Sequence, residues 1–368
     1  MQFEMTIRSN LGQGCVYADH QLEALSEGAD PVHSFARGNI QPASADIGID
    51  PEGYTYLLRS MPPSVPNCSI ADILQLNNGY DKYPNSSCPT LLKNNVYLVE
   101  MEGQINLRPD MRAYFSPKST SGRLDLYCTI ISDHAPGFDE LAAEYRGKLY
   151  MIIVAQSFPV TIAPRQTFSQ IRLYDRERKY VSGNDLQRIH EIFPLIEGSD
   201  PVFTDKGIML HLDLSDPGKH VVADFNGNPI DVRKRAFYDP DDYFRSKRLT
   251  AGRSLELDDR EFMLVVSKER VRMPSFLCGE MVAQHGARGP FRAHTAGFID
   301  PGYGGEKGDW LTCEVRNIAP FQIQFRHGQR IALLRFERMR SLPSALYGNT
   351  SATEPSHYNK RVYPKQFK

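Results

Sequence analysis

The sequence predicts an all-β protein built as two tandem barrel-like or distorted jelly-roll domains with few short helices. Three observations carry that expectation. The 27 Gly and 25 Pro punctuate the 368 residues at short intervals. Between them lie brief β-branched and aromatic runs, the pattern of a sandwich or barrel. The two halves also repeat similar segments in the same order, the mark of an internal duplication.

The elements follow in chain order. Gln21-Leu-Glu-Ala-Leu25 has apolar residues three and four apart, so it reads as a short helix. Tyr54-Thr-Tyr-Leu-Leu58, Val96-Tyr-Leu-Val99 and Leu149-Tyr-Met-Ile-Ile-Val154 read as strands of a first domain over 1–184. Asp185-Leu-Gln-Arg-Ile-His-Glu-Ile-Phe193 has helical spacing and runs into Glu197-Gly-Ser-Asp-Pro201, which predicts a helical connector over 185–200. Phe262-Met-Leu-Val-Val266 and Ile331-Ala-Leu-Leu334 belong to a second domain over 201–342, and 343–368 is a tail. Arg176-Glu-Arg-Lys179 reads as a solvated turn rather than a binding patch.

The repeat rests on three pairings. Ser44–Gly53 parallels Met209–Gly218, Ile105–Pro109 parallels Val271–Pro274, and Pro164–Ile171 parallels His327–Leu334.

Composition excludes several classes. Hydrophobic content of 41% and charged content of 24% are those of a globular protein. With 43 basic and 44 acidic residues the net charge is −1, so no global field favours nucleic acid or an anionic membrane. No basic, apolar leader opens the chain, and no apolar run is long enough to span a bilayer, which makes the cytoplasm the expected location. Six scattered cysteines form no Cys-x-x-Cys pair, so free thiols are expected rather than a zinc site or disulfides.

Two stretches carry chemistry. Lys118, Ser119, Thr120, Ser121 and Arg123 gather hydroxyl and cationic donors around Gly122, which suits a triphosphate; the plain alternative is a polar turn before a strand. The second stretch runs from His294-Thr-Ala296 through Asp300-Pro-Gly-Tyr303 to Gly308. Its glycines fit neither a dinucleotide fingerprint nor a Walker loop, and predict a hairpin turn with Asp300 capping local amides. Glu314 follows in an alternating strand, on one face with Thr312 and Arg316, so either a surface ion pair or a functional carboxylate is open. Cys313 points to the opposite face.

Together these residues resemble the dCTP deaminase branch of the dUTPase-like superfamily, whose β-clip fold would then be present twice. Ser119-Thr-Ser-Gly-Arg-Leu-Asp-Leu126 is similar to the family's Arg-Ser-Ser-x-x-Arg-Leu-Gly-Leu motif, with Lys118 in the place of its first Arg. Thr295-Ala-Gly-Phe-Ile-Asp-Pro-Gly302 resembles Thr-Ala-x-x-Ile-Asp-Pro-Gly, and Leu311–Asn317 resembles Leu-Glu-x-x-Asn. Pro42-Ala-Ser-Ala-Asp46 matches the family's Pro-Ala-Ser-x-Asp. Each half has lost the strong motif of the other: Ile152 stands where Glu314 would be, and the second half lacks the Ser-Ser-x-x-Arg cluster.

The resemblance implies hydrolytic deamination of dCTP to dUTP and ammonia. Glu314, Ser119, Arg123 and the Ala296 carbonyl would be catalytic. Lys118, Ser119, Thr120, Ser121, Arg123, His294, Thr295, Ala296, Asp300, Tyr303, Gln329, Tyr358 and Lys360 would bind substrate, the last two from a tail that closes over it. Zinc deaminases carry His-x-Glu and Pro-Cys-x-x-Cys strings, and neither occurs here. No protein-bound metal is therefore expected, and Mg2+ would arrive on the nucleotide. The resemblance allows feedback by dTTP and a homo-oligomer. The rival readings are a dUTP diphosphatase with Asp300 as its base, a bifunctional enzyme, and an inactive nucleotide sensor on the same fold.

Overall fold

The computed structural model describes residues 14–27, 30–63, 68–77, 80–250, 252–283, 289–293, 296–349 and 362–368. Among the described residues four short α-helices interrupt an otherwise β structure: α1 (Asp19–Ser26), α2 (Ile70–Leu76), α3 (Ser119–Arg123) and α4 (Gly183–Ile192). None is long and apolar enough to cross a membrane.

The first half supplies β1 (Ala45–Gly48), β2 (Tyr54–Leu58), β3 (Asp81–Pro84), β4 (Thr90–Leu91), β5 (Val96–Asn106) and β6 (Met111–Pro117). It continues with β7 (Leu126–Ile131), β8 (Glu140–Leu141), β9 (Arg146–Ala155), β10 (Val160–Thr161) and β11 (Thr167–Asp175). The second supplies β12 (Gly207–His211), β13 (His220–Ala223), β14 (Phe244–Arg245), β15 (Ser254–Leu257), β16 (Phe262–Val271) and β17 (Leu277–Ala283). It ends with β18 (Phe291–Ala293), β19 (Phe298–Ile299), β20 (Asp309–Asn317), β21 (Ile323–Arg326) and β22 (Arg330–Arg338).

The sheets prove the duplication. One sheet of the first half runs β1-β11-β6-β8 and the other β3-β2-β5-β9-β7, with β4 beside β10. The second half repeats this as β12-β22-β17-β19 and β14-β13-β16-β20-β18, with β15 beside β21. Both copies share an irregularity, between Glu100 and Gln104 in one and between Val266 and Arg270 in the other. Leu98 faces Ile152 and Leu264 faces Glu314 at matching rungs, so Ile152 is the structural counterpart of Glu314. Ile171 and Leu334 also hold equivalent places, as the sequence pairing has them. At β1 the pairing slips: the ladders set Asp46, not Ser44, level with Met209. Sparse identities cannot fix a strand's register, whereas the hydrogen-bond ladder does.

Burial explains the apolar run of β9. Met151 and Ile153 enter the first half's main core, while Ile152 enters a smaller cluster with Tyr56, Ile73 and Leu98 under α2. A strand covered on both faces needs no polar alternation. Helix α4, capped by Ser182, sends Leu186 and Ile189 into the second half's core.

The halves interlock. Residues of 224–243 leave the second half's sheet and pack on the first half, where Ile230–Asp231 adds a parallel rung to β10. Phe158 meets Phe244 at 5.2 Å, and Phe367 from the chain's end meets Tyr243 at 5.2 Å. A charged network crosses elsewhere. Fully buried Arg172 donates to Glu280 at 2.6 Å and to Glu337 at 3.1 Å, and the Tyr174 hydroxyl donates to Glu337 at 3.0 Å. Arg178 joins Glu337 at 2.7 Å and also pairs with Glu280, so the Arg176–Lys179 segment is not simply a solvated turn. Burial alone would push the Glu280 carboxyl up; Arg172 and Arg178 outweigh it and hold it at about 2.

Candidate active site

Strand β6 ends at Pro117, whose ring cannot continue a ladder, and the chain turns into α3 with Lys118 as its extended N-cap. The turn is tied to β11: the Lys118 amide and the Ser121 hydroxyl both donate to the Phe168 carbonyl, at 2.9 and 2.8 Å. The Lys118 ammonium pairs with Asp46 of the Pro42–Asp46 segment and donates to Thr167 at 2.9 Å. Ser119 is exposed and Thr120 half-buried, whereas Gly122 and Arg123 are buried at the boundary between the halves.

Strand β20 brings the carboxylate. Glu314 is only 3% exposed, which removes the surface-ion-pair alternative. Its Oε2 accepts the Ala296 amide at 3.2 Å. Its carboxyl carbon lies so close to α3 that a Cβ added at Gly122 would fall 2.5 Å from it. The donor cluster of one half and the carboxylate of the other therefore meet within a single chain. Arg123, also on α3, reaches the start of β20: burial pushes the Asp309 carboxyl up to about 6, while the Trp310 amide, Arg123 and Arg270 pull it back. Cys313 points the other way, into the second core, as alternation requires; all six cysteines carry free thiols.

Arg316 lies on the face of Glu314, but its partner is Asp125 in the first half. Asp125 is 1% exposed and also accepts the Ser157 hydroxyl at 2.6 Å. Arg292, opposite Arg316 on β18, stacks its guanidinium 5.3 Å from the Tyr127 ring. Asp125, Tyr127, Arg292 and Arg316 were not candidates from sequence. The one available signal was Asp125, standing where the resembled motif has Gly.

Asp300 departs from expectation. Among the described residues it caps no local amide; its Oδ1 accepts the Ala43 amide of the first half at 3.1 Å. Burial pushes its carboxyl up to about 7, reinforced by Asp46 and opposed by the Ala43 amide, Arg172 and Lys118. The glycine-rich segment is a turn but not a hairpin, because it joins β19 and β20, which lie in different sheets. Gly302 has φ +91° there, and Leu346 of the tail packs over it. Tyr303 donates its hydroxyl to the Trp310 carbonyl at 2.7 Å and lies 5.4 Å from the Tyr347 ring. Gln329 braces the β21–β22 turn, accepting the Arg326 amide at 3.1 Å; its repeat counterpart, Gln166, adjoins the Thr167 that holds Lys118. His294, Thr295, Tyr358 and Lys360 lie outside the described residues.

Family models match nearly the whole chain. Residues 11–177 match the 2'-deoxycytidine 5'-triphosphate deaminase N-terminal domain, and 182–364 match its C-terminal domain. A protein from Methanobrevibacter smithii named "dCTP deaminase, dUMP-forming" is 28% identical over 142 residues, 36% of this chain and 70% of that one. One of the same name from Mycolicibacterium vanbaalenii is 33% identical over 102 residues, so the match spans 52% of its length. The crystal structure of 2'-deoxycytidine 5'-triphosphate deaminase from Agrobacterium tumefaciens superposes with a TM-score of 0.81 at 30% identity, covering 92% of this chain and 99% of that one. With two domain models end to end and a solved relative matched over almost its full length, this chain belongs to the 2'-deoxycytidine 5'-triphosphate deaminase family.

Proposed function

We propose that the chain deaminates dCTP hydrolytically, giving dUTP and ammonia, at one site built from both halves. The observation that carries this is the Glu314 carboxyl resting on the backbone of α3 at Gly122. Deamination needs water to attack C4 of cytosine, a proton to reach N3, and ammonia to leave. Glu314 takes the proton from water and delivers it to the base, a role worth about 10²–10⁴-fold in rate. Its bond to the Ala296 amide fixes its orientation. The Ser119 hydroxyl and the Ala296 carbonyl hold the water, and Arg123 balances the developing charge. The triphosphate, carrying its own Mg2+, lies along α3, with Lys118 kept beside it as a point charge by Asp46 and Thr167.

Glu314→Gln should bind dCTP with little change and lose at least about 10²-fold in turnover. Near-normal ammonia release by that variant would remove Glu314 from the chemistry. A second reading, release of dUMP and pyrophosphate, is favoured by the names of the curated relatives. Following ammonia and pyrophosphate in the same reaction separates the two: ammonia alone supports the first, equal amounts of both the second.

A further inference from the structure

We propose that the Asp125–Arg316 ion pair is a positioning clamp that sets Glu314 against α3, resting on the role given to Glu314 above. The pair joins the halves at their point of catalytic contact. Asp125 stands two residues beyond Arg123, and Arg316 stands two beyond Glu314 on the same strand face. Any sliding of β20 along α3 must therefore stretch this pair. Both ends are fixed in turn. Asp125 accepts the Ser157 hydroxyl at 2.6 Å and the Gln156 amide nitrogen at 3.3 Å, and Arg316 also donates to the Arg260 carbonyl.

Two further observations tie the pair to chemistry rather than to general cohesion. First, Asp125 has φ +52°, the left-handed region that suits glycine, and the motif it resembles has Gly there. Asp is among the few side chains that this region tolerates, so a carboxylate could take the place of the glycine. Second, the internal repeat supplies a control. By ladder register Arg316 corresponds to Val154, as Glu314 does to Ile152, while Asp125 corresponds to Pro290. The equivalent junction built around Ile152 would thus set Val154 of the first half toward Pro290 of the second, and has neither charge of the clamp. Cohesion between the halves is already served by Arg172 and Arg178 with Glu280 and Glu337.

Arg316→Gln, Asp125→Asn, the double variant and Arg316→Lys are compared with Glu314→Gln by steady-state ammonia release and by dCTP binding. Small displacements of a catalytic group cost up to about 10²-fold in rate. Each single neutral variant should lose about 10- to 100-fold in kcat while KM stays within about threefold. The double variant should be no slower than the slower single, the signature of coupled residues, and Arg316→Lys should recover part of the loss. Should Asp125→Asn not fold, Asp125→Gly relieves the backbone and enters the same comparison. Folded Arg316→Gln with wild-type kcat, or a double variant whose losses simply multiply, overturns the clamp. If Glu314→Gln is inactive and Arg316→Gln is not, only the clamp fails; if Glu314→Gln is fully active, the site reading fails instead.

Discussion

At Gly122 the missing side chain is what lets a carboxyl from the second half rest on a helix of the first. Local propensity and site geometry conflict there. Alanine would favour the helix by up to about 1 kcal/mol, yet its Cβ would displace Glu314. Gly122→Ala should therefore lower turnover about 10²-fold and, because displacing a buried side chain outweighs the helix gain, not raise the melting temperature, checked by thermal denaturation beside ammonia release. Asp300 gives a pH prediction. Its folded pKa is raised to about 7 from a usual 3.8, so it favours the fold in its protonated form. That contribution is complete below about pH 4 and fades as pH rises through 7. Asp300→Asn keeps an acceptor for the Ala43 amide and cannot ionise. Melting temperatures at pH 5 and pH 8 should differ by several degrees in the parent and lie closer together in the variant.

At the scale of elements, β9 and β20 are the same strand put to two uses. Ile152 is fully buried among Tyr56, Leu98 and Ile131, whereas its counterpart Glu314 faces α3. Ile152→Glu should not recreate a second site, because an apolar cluster offers the new carboxylate no partner. Burying it there costs several kcal/mol, so a markedly lower melting temperature is expected with one nucleotide still bound per chain, read by titration. The strands were largely legible in sequence: Tyr54–Leu58, Val96–Val99 and Phe262–Val266 all lie within observed strands. The hairpin expected at Gly302–Gly308 was not, because a glycine-rich turn looks alike whether its flanks pair or part into two sheets.

Across the whole molecule the two repeats do not behave as beads on a string. Phe367 and the aromatic residues of 224–245 complete the core of the half they do not belong to. Phe367→Ala should cost about 3–5 kcal/mol, and calorimetry should show a single transition for parent and variant alike. Two separable transitions would contradict the interlocking. On the acid side, Glu280, held at about 2 by its arginines, contributes stability that is complete above about pH 4.5 and lost as pH falls towards 2.

The sequence by itself determined the all-β class, the duplication, the scarcity of helices and the two stretches that meet, because periodicity, turn residues and motif strings are local properties. Only the tertiary structure decided who pairs with whom. Arg316 shares a face with Glu314, yet binds Asp125; Asp300 reaches Ala43 rather than its own turn; Arg178 leaves an apparent surface turn for a buried network. Each of these partners comes from the other half of the chain. A charge removed from water must find its counter-charge or donor wherever packing brings one, and that address is set by how the halves dock, which no short window of sequence contains.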